Sequence, residues 1–355
     1  MDNGKMTLVV SELLPGMKVA EDFRVDGVIL LVKGSIINNS VLEKLQNNYF
    51  FNKIVIYHDY RINKNNAVQA GSIQKTVKEI EDKFNKFKFE IEEIFGSISK
   101  DKVSDIEGVR EFGKKIQGEL TSGHAVIKNI VLYGSGKDPI YKHSVNVAAL
   151  SALLGRWIGL KEAQINLLTY SAILHDYGKS KIETKILHKV GQLTTKEYQE
   201  IKNHVVIGYN FVKELPFIDE SVSYGVLMHH ERGDGSGYPL GLTEKSIHQF
   251  AKIIAIADVF DAVNSDRIYK TRKLPLEALD IIKKESLGKL DNKYCNIFLE
   301  HIINFYLGEN ILLSNDEMCK IIKIDINDIT KPLLMGDKGF IDLKKEKELY
   351  IKKLL

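Results

Sequence analysis

Seven residues of the 355-residue chain have the types and surroundings to do metal chemistry: His143, His175, Asp176, His204, His229, His230 and Asp258. Each falls among Ala, Val, Leu and Ile at spacings that predict an amphipathic helix, so each is expected to face a core. Any one of them alone reads as an ordinary core or surface residue. The set does not, because burying so many imidazoles and two carboxylates without partners costs on the order of several kcal/mol apiece. They must satisfy one another, or something charged must sit between them. Five imidazoles and two carboxylates exceed the three protein ligands of a typical catalytic zinc site. They suit two octahedral ions that share a bridging carboxylate and keep open positions, and this mixed ligation favours iron or manganese. Two such ions about 4 Å apart can activate a bridging hydroxide and stabilise both oxygens of an in-line displacement at phosphorus. The expected chemistry is phosphoester hydrolysis.

These residues need a helical scaffold, and the chain supplies one. The pattern predicts helices over 143–158, 163–177, 196–214, 220–230, 247–264, 275–286 and 293–307. Pro275 falls where a helix start tolerates proline. Ahead of this region lies an apolar seam, Ile73, Val77, Ile80, Phe84, Phe87, Ile91, Ile94 and Ile98, followed by a second helix over 103–120. A heptad seam can dimerise the chain, or serve one helix of an intrachain antiparallel pair, and both alternatives fit. Before it, Val28 to Val32 and Lys53 to Tyr57 read as strands, Ser40 as a helix N-cap, and the Asn-rich stretch 61–71 as a linker. After the helices, Cys319 to Ile324 and Gly339 to Leu343 read as strands. The expected organisation is a small N-terminal α/β domain over 1–60, a linker and helical hairpin over 61–130, a helical domain over 131–310 and a C-terminal β element over 311–355.

Composition narrows the function classes. With 50 Lys and Arg against 47 Asp and Glu, the net charge is +3, which does not suggest a nucleic-acid polymer as partner. Only two cysteines, Cys295 and Cys319, are present, which fits a reducing compartment and excludes a disulfide framework. No apolar run approaches the ~18 residues of a membrane span, and the N-terminus lacks the pattern of a signal peptide. A cytoplasmic enzyme without membrane contact is the expectation.

Two motifs make the chain recognisable. His175-Asp176-Tyr177-Gly178-Lys179 is similar to the HD-x-G-K signature of HD-superfamily phosphohydrolases. The run from His229 to Pro239, HHERGDGSGYP, resembles the HHE-x-x-DGSGYP motif of the HD-GYP group. His143-Ser144, Gly191 to Thr194, Asp258 to Ala262 and Arg267 to Lys270 follow in that group's order, so the resemblance covers about residues 135–310. It implies a mainly α protein, an HD-type helical bundle with the flanking elements given above. It also implies hydrolysis of cyclic di-GMP, a bacterial second messenger, to linear pGpG and in some members to GMP. Carried over, His143, His175, Asp176 and Asp258 would hold one ion, with Asp176 bridging, and His204 with His229, His230 or both would hold the other. Lys179 would meet a phosphate oxygen or protonate the leaving group. Arg267 and Lys270 would grip the substrate phosphates, and Tyr238 would line the substrate site or plug the bundle. Glu231 would support a ligand histidine, and the glycines 233–237 would form a turn or let the backbone approach a ligand.

One position departs from the group. Where some members carry a Glu that helps to hold a third metal, this chain has Pro139, with Asp138 one residue further back. Two metals and accumulation of pGpG are therefore expected. The alternatives are the same centre acting on another nucleotide such as cyclic GMP-AMP, or a module that binds cyclic di-GMP or a diguanylate cyclase without turnover.

Overall fold

The computed structural model describes the chain except residues 1–4, 11–12, 14–15, 26–27, 39–40, 43, 46–48, 50–51, 58–65, 98–101, 121–122, 137, 139, 190, 266–275, 338 and 347, and except the side chains of 28, 66–76, 102–105 and 124. It separates into two compact units, Met1–Val77 and Lys78–Leu355.

In the first unit, β1 (Lys5–Val9) pairs antiparallel with β4 (Lys53–Tyr57), and β2 (Phe23–Val25) with β3 (Val28–Leu31). Alternation along β4 puts Ile54 and Ile56 inward, where they join Val10, Val19, Phe23 and Ile37 in a small core. The strands at Val28 and Lys53 match the expectation from sequence. The proposed cap Ser40 lies outside the described residues.

Helix α1 (Asn66–Ser97) begins inside the stretch expected to be a linker. Once the strongly amphipathic part has nucleated a helix, adding residues at its N-terminal end costs little, and the Asn-rich stretch follows. In the second unit α1 is paired with α2 (Lys102–Glu119). Ile80, Phe84, Phe87 and Ile91 of the seam are buried, as are Ile106, Val109, Phe112 and Ile116 of α2. Phe87 meets Phe112 edge-on at 5.4 Å, and the ion pairs Lys83–Glu119 (2.6 Å) and Lys115–Glu90 (2.7 Å) tie the two helices together. Most of the described part of the seam is thus covered by the chain's own residues, as in an intrachain pair.

The rest of the unit is mainly α, as expected. α3 (Gly123–Tyr133), which the sequence reading missed, is followed by α4 (Tyr141–Trp157), α5 (Glu162–Leu174), α6 (Thr184–Leu187), α7 (Thr195–Lys202), α8 (His204–Lys213), α9 (Glu220–Met228), α10 (Gln249–Asn264), α11 (Glu277–Glu285) and α12 (Asn292–Tyr306). α4 packs on α5 and α10, and α9 packs on α5, α8 and α10. The hairpin locks onto this bundle through half-buried Glu81, which accepts from Lys142 at 2.6 Å and Asn129 at 2.8 Å. A five-stranded antiparallel sheet, β5 (Asn310–Leu313), β6 (Met318–Asp325), β7 (Asp328–Gly336), β8 (Gly339–Asp342) and β9 (Ile351–Leu354), ends the chain in the order β8-β7-β6-β5-β9. Lys128 of α3 holds Glu309, just ahead of β5, at 2.8 Å.

Three predicted helices end or break earlier than periodicity suggested, each beside a chemical residue. α5 stops at Leu174, so His175 is its C-cap and Asp176 (φ −101°, ψ 8°) begins a 3₁₀ turn, Tyr177–Lys181. The single helix expected over 196–214 is two helices broken at Asn203, so His204 opens α8. α9 stops at Met228, which puts His229 at its cap and His230 beyond it.

Candidate metal centre

Three helix ends, those of α5, α8 and α9, and two helices, α4 and α10, converge on Asp176. Its carboxylate is fully buried, and its two oxygens face different histidines. Oδ2 lies 3.4 Å from Nε2 of His175 and 3.6 Å from Nε2 of His143. Oδ1 lies 3.2 Å from Nε2 of His204 and 3.8 Å from Nε2 of His229. Asp258 completes the first side, 3.0 Å from Nε2 of His143, and reaches toward Nδ1 of His230 at 4.0 Å. The donors fall into two groups close enough to share an ion each: His143, His175 and Asp258, and Asp176, His204, His229 and His230.

The histidines are aimed by the backbone. Nδ1 of His175, His204 and His229 donates to the carbonyl three residues back, at Ala172 (2.7 Å), Ile201 (2.6 Å) and Val226 (2.8 Å). A carbonyl only accepts, so Nδ1 carries a proton and Nε2 is the ring nitrogen turned toward Asp176. Placing these residues where a helix stops or starts makes the arrangement possible, because the side chain can use its own last turn as an anchor. His143 is anchored differently: its Nδ1 donates to Asp261 at 2.7 Å, and Asn146 donates to the other Asp261 oxygen at 2.7 Å.

Electrostatics follow from this crowding. Burial would push the Asp176 carboxyl up, but Lys179, His175 and His204 outweigh it and hold it well below the usual carboxylate range. Burial together with the neighbouring imidazoles pushes His229 and His230 well below the ordinary histidine range, so they are neutral. His143 goes the other way: burial opposes its charge, but Asp258 and Asp261 prevail and raise it to about 9. Nε2 of His175 and Oδ1 of Asp176 remain buried with no well-aligned hydrogen-bond partner among the described residues. Buried polar atoms rarely stay unsatisfied, and imidazole nitrogens around anionic carboxylates form a donor set that fits divalent metal.

Around the cluster, Lys179 folds back so that its Nζ lies 2.6 Å from Oδ2 of Asp176. Tyr238 stacks on His230 with ring centroids 4.7 Å apart. Glu231 does not support a histidine; its two oxygens accept from the backbone N–H of Leu240 (2.6 Å) and Leu242 (2.9 Å) and clamp the loop that carries Tyr238. A buried carboxylate is drawn to the nearest free donors, and this loop supplies two amides. The close approach expected of the glycines is made to the chain's own backbone, since a Cβ on Gly237 would strike Glu231 and Arg232. Tyr177 fills space between Phe95 and Phe211, with ring centroids at 5.2 and 4.3 Å. Arg267, Lys270 and Pro139 lie outside the described residues.

Asp261 and Asn146 carry weight that the sequence reading missed. The signal was there: Asp261 lies one turn after Asp258, and Asn146 one turn after His143, each on the buried face of a helix.

Residues 130–294 match a family model described as HD domain. That segment holds all seven residues of the cluster around Asp176. It is 39% identical over 152 residues to a cyclic di-GMP phosphodiesterase of Thermotoga maritima, a match covering 42% of this chain and 41% of that protein. It is 34% identical over 167 residues to a 3′3′-cGAMP-specific phosphodiesterase of Vibrio cholerae, covering 47% of this chain and 38% of that one. The chain thus spans less than half the length of these curated relatives. A solved HDG"Y"P protein from Bdellovibrio bacteriovorus shares the fold, with a TM-score of 0.50 at 19% identity over 84% of this chain and 99% of the other. No described helix is long and apolar enough to cross a membrane.

Proposed function

We propose that this HD-GYP domain hydrolyses cyclic di-GMP to linear pGpG. The observation that carries the reading is the buried carboxylate of Asp176, with one oxygen toward His143 and His175 and the other toward His204 and His229. That division suits two divalent ions, iron or manganese: His143, His175, Asp176 and Asp258 would hold one, and Asp176, His204, His229 and His230 the other. When bound, such ions acidify water and offset the charge that builds up at phosphorus.

The chain's own residues do the rest. Asp261 and the three carbonyls keep four of the five imidazoles, those of His143, His175, His204 and His229, in one orientation, so little reorganisation is needed as charge develops. Attack of water on phosphorus breaks the bond to the 3′ oxygen, which must take up a proton. Lys179, held at the cluster by Asp176, would supply it. Burial and the charges of Asp176 and Asp258 push the Tyr238 phenol upward, so it stays a neutral hydrogen-bond donor beside the cluster, suited to the substrate phosphate or sugar. Arg267 and Lys270, three residues apart, would serve as the phosphate grip.

Asp138 is already engaged: Oδ1 accepts from the backbone N–H of Ile140 (3.0 Å) and Tyr141 (2.9 Å), and Oδ2 pairs with Lys88 at 3.1 Å. It is poorly placed to replace the missing Glu as a ligand for a third metal, and rebinding pGpG with its extra terminal charge lacks that compensation. In metal-replete protein given cyclic di-GMP, chromatography is expected to show pGpG accumulating, with GMP late or absent. GMP as the main early product would overturn the two-metal reading, and unconsumed substrate would overturn the activity. The likeness to the Vibrio protein makes cyclic GMP-AMP the second substrate to test.

A further inference from the structure

Lys202 ends α7, two residues before His204. Its ammonium lies 4.7 Å over the ring of Tyr238 and 5.2 Å over that of Tyr198. Tyr238 in turn stacks on His230 at 4.7 Å, with the planes 24° apart, so the ammonium stands two such steps from a member of the metal-ligand cluster. Lys179 and Lys189 on neighbouring elements are each neutralised by a carboxylate, Asp176 and Glu197. Among the described residues no carboxylate pairs with Lys202. Ring contacts of this kind hold the side chain in place without cancelling its charge. The result is an uncompensated cation, held by Tyr238 and Tyr198 near a centre suited to phosphate.

A cyclic dinucleotide brings two phosphodiesters on opposite sides of one ring. With the scissile group at the Asp176 cluster, the other must be carried toward a wall of the site. We propose that Lys202 binds this second, non-scissile phosphate and so selects cyclic dinucleotides over substrates with a single phosphodiester. The inference rests on the proposed phosphodiesterase reading and adds to it a residue outside the motifs. An ammonium is a point charge that reads phosphate and not base, so cyclic di-GMP and cyclic GMP-AMP should depend on it alike.

The test compares wild type, Lys202→Gln and Lys202→Arg in metal-replete protein on both cyclic dinucleotides and on bis(p-nitrophenyl) phosphate, with bound metal measured in each. Lys202→Gln should lower the ratio of kcat/KM for dinucleotide over the small ester about tenfold, mainly through KM, as loss of one charge-assisted contact predicts. Lys202→Arg should restore most of the ratio, and metal content should match wild type. Equal losses on all substrates, a fall in bound metal, or an unchanged ratio would overturn the role, the first two because they mark an effect through His204. Wild type that consumes cyclic GMP-AMP but not cyclic di-GMP would overturn the assigned substrate alone, and Lys202 is then scored by the same ratio on cyclic GMP-AMP. Wild type that consumes neither dinucleotide would overturn both readings.

Discussion

Asp176→Asn is expected to lower turnover by about a thousandfold or more, a barrier increase of about 4 kcal/mol at ~1.4 kcal/mol per tenfold. The substitution keeps the shape of the side chain, so the helices around it should stay folded. It replaces one of two anionic oxygens by an amide NH2, which cannot bind a cation, and that group must face either His143 and His175 or His204 and His229. One side of the cluster therefore loses its shared ligand whichever way the amide turns, and the negative charge that balances two cations is gone. Elemental analysis should show less metal per chain, with circular dichroism unchanged. A variant that keeps both ions and more than a tenth of wild-type turnover would remove Asp176 from the bridge.

The second large effect is expected from Gly178→Ala. Gly178 lies in the 3₁₀ turn after Asp176, pressed against the first residue of α8. A Cβ there would meet the carbonyl oxygen of His204, and would lie 2.7 Å from its carbonyl carbon and 2.9 Å from its Cα. Backbone cannot swing aside as a side-chain tip can, so the turn and α8 must separate. Overpacking of this kind costs about 1–3 kcal/mol and occasionally more. The same shift draws His204 away from Asp176, so metal affinity and turnover should fall along with thermal stability. Wild-type melting temperature and activity in this variant would show that the contact is loose and that the glycine serves another purpose.

How legible these features were depends on what each residue interacts with. That these side chains gather in one buried cluster could be read from sequence because its cost is local: imidazoles among aliphatic residues announce a missing partner wherever the helices end up. Helix existence was legible where burial follows the helical period, as in α8, whose buried His204, Val205, Gly208 and Val212 share one face. Helix ends were not. His175 keeps helical dihedrals (φ −55°, ψ −39°) while Asp176 leaves them, and the apolar pattern runs through both without a break. Asn203 splits α7 from α8 in the same silent way. Helix α3 was missed because its apolar residues form a nearly continuous run with little alternation, which suits a buried strand or a buried helix equally.

Partners distant in sequence were the least legible. Glu231 looked like a companion of the adjacent histidine pair, but its charge goes to amides 9 and 11 residues ahead. The strands β5, β7 and β9 depend on pairings across turns and across the sheet, and Pro332 inside β7 argued against a strand from sequence alone. The heptad seam was visible, but only the packed structure shows that Phe112 and its neighbours cover it.

The central claim is that the Asp176 cluster is a two-metal centre, and bound metal in the wild-type protein tests it most directly. Protein purified without oxygen and analysed by inductively coupled plasma mass spectrometry should carry two iron or manganese ions per chain. Asp176→Asn protein prepared in parallel should carry fewer. Wild-type protein with no transition metal, or with a single zinc that Asp176→Asn leaves in place, would contradict the account.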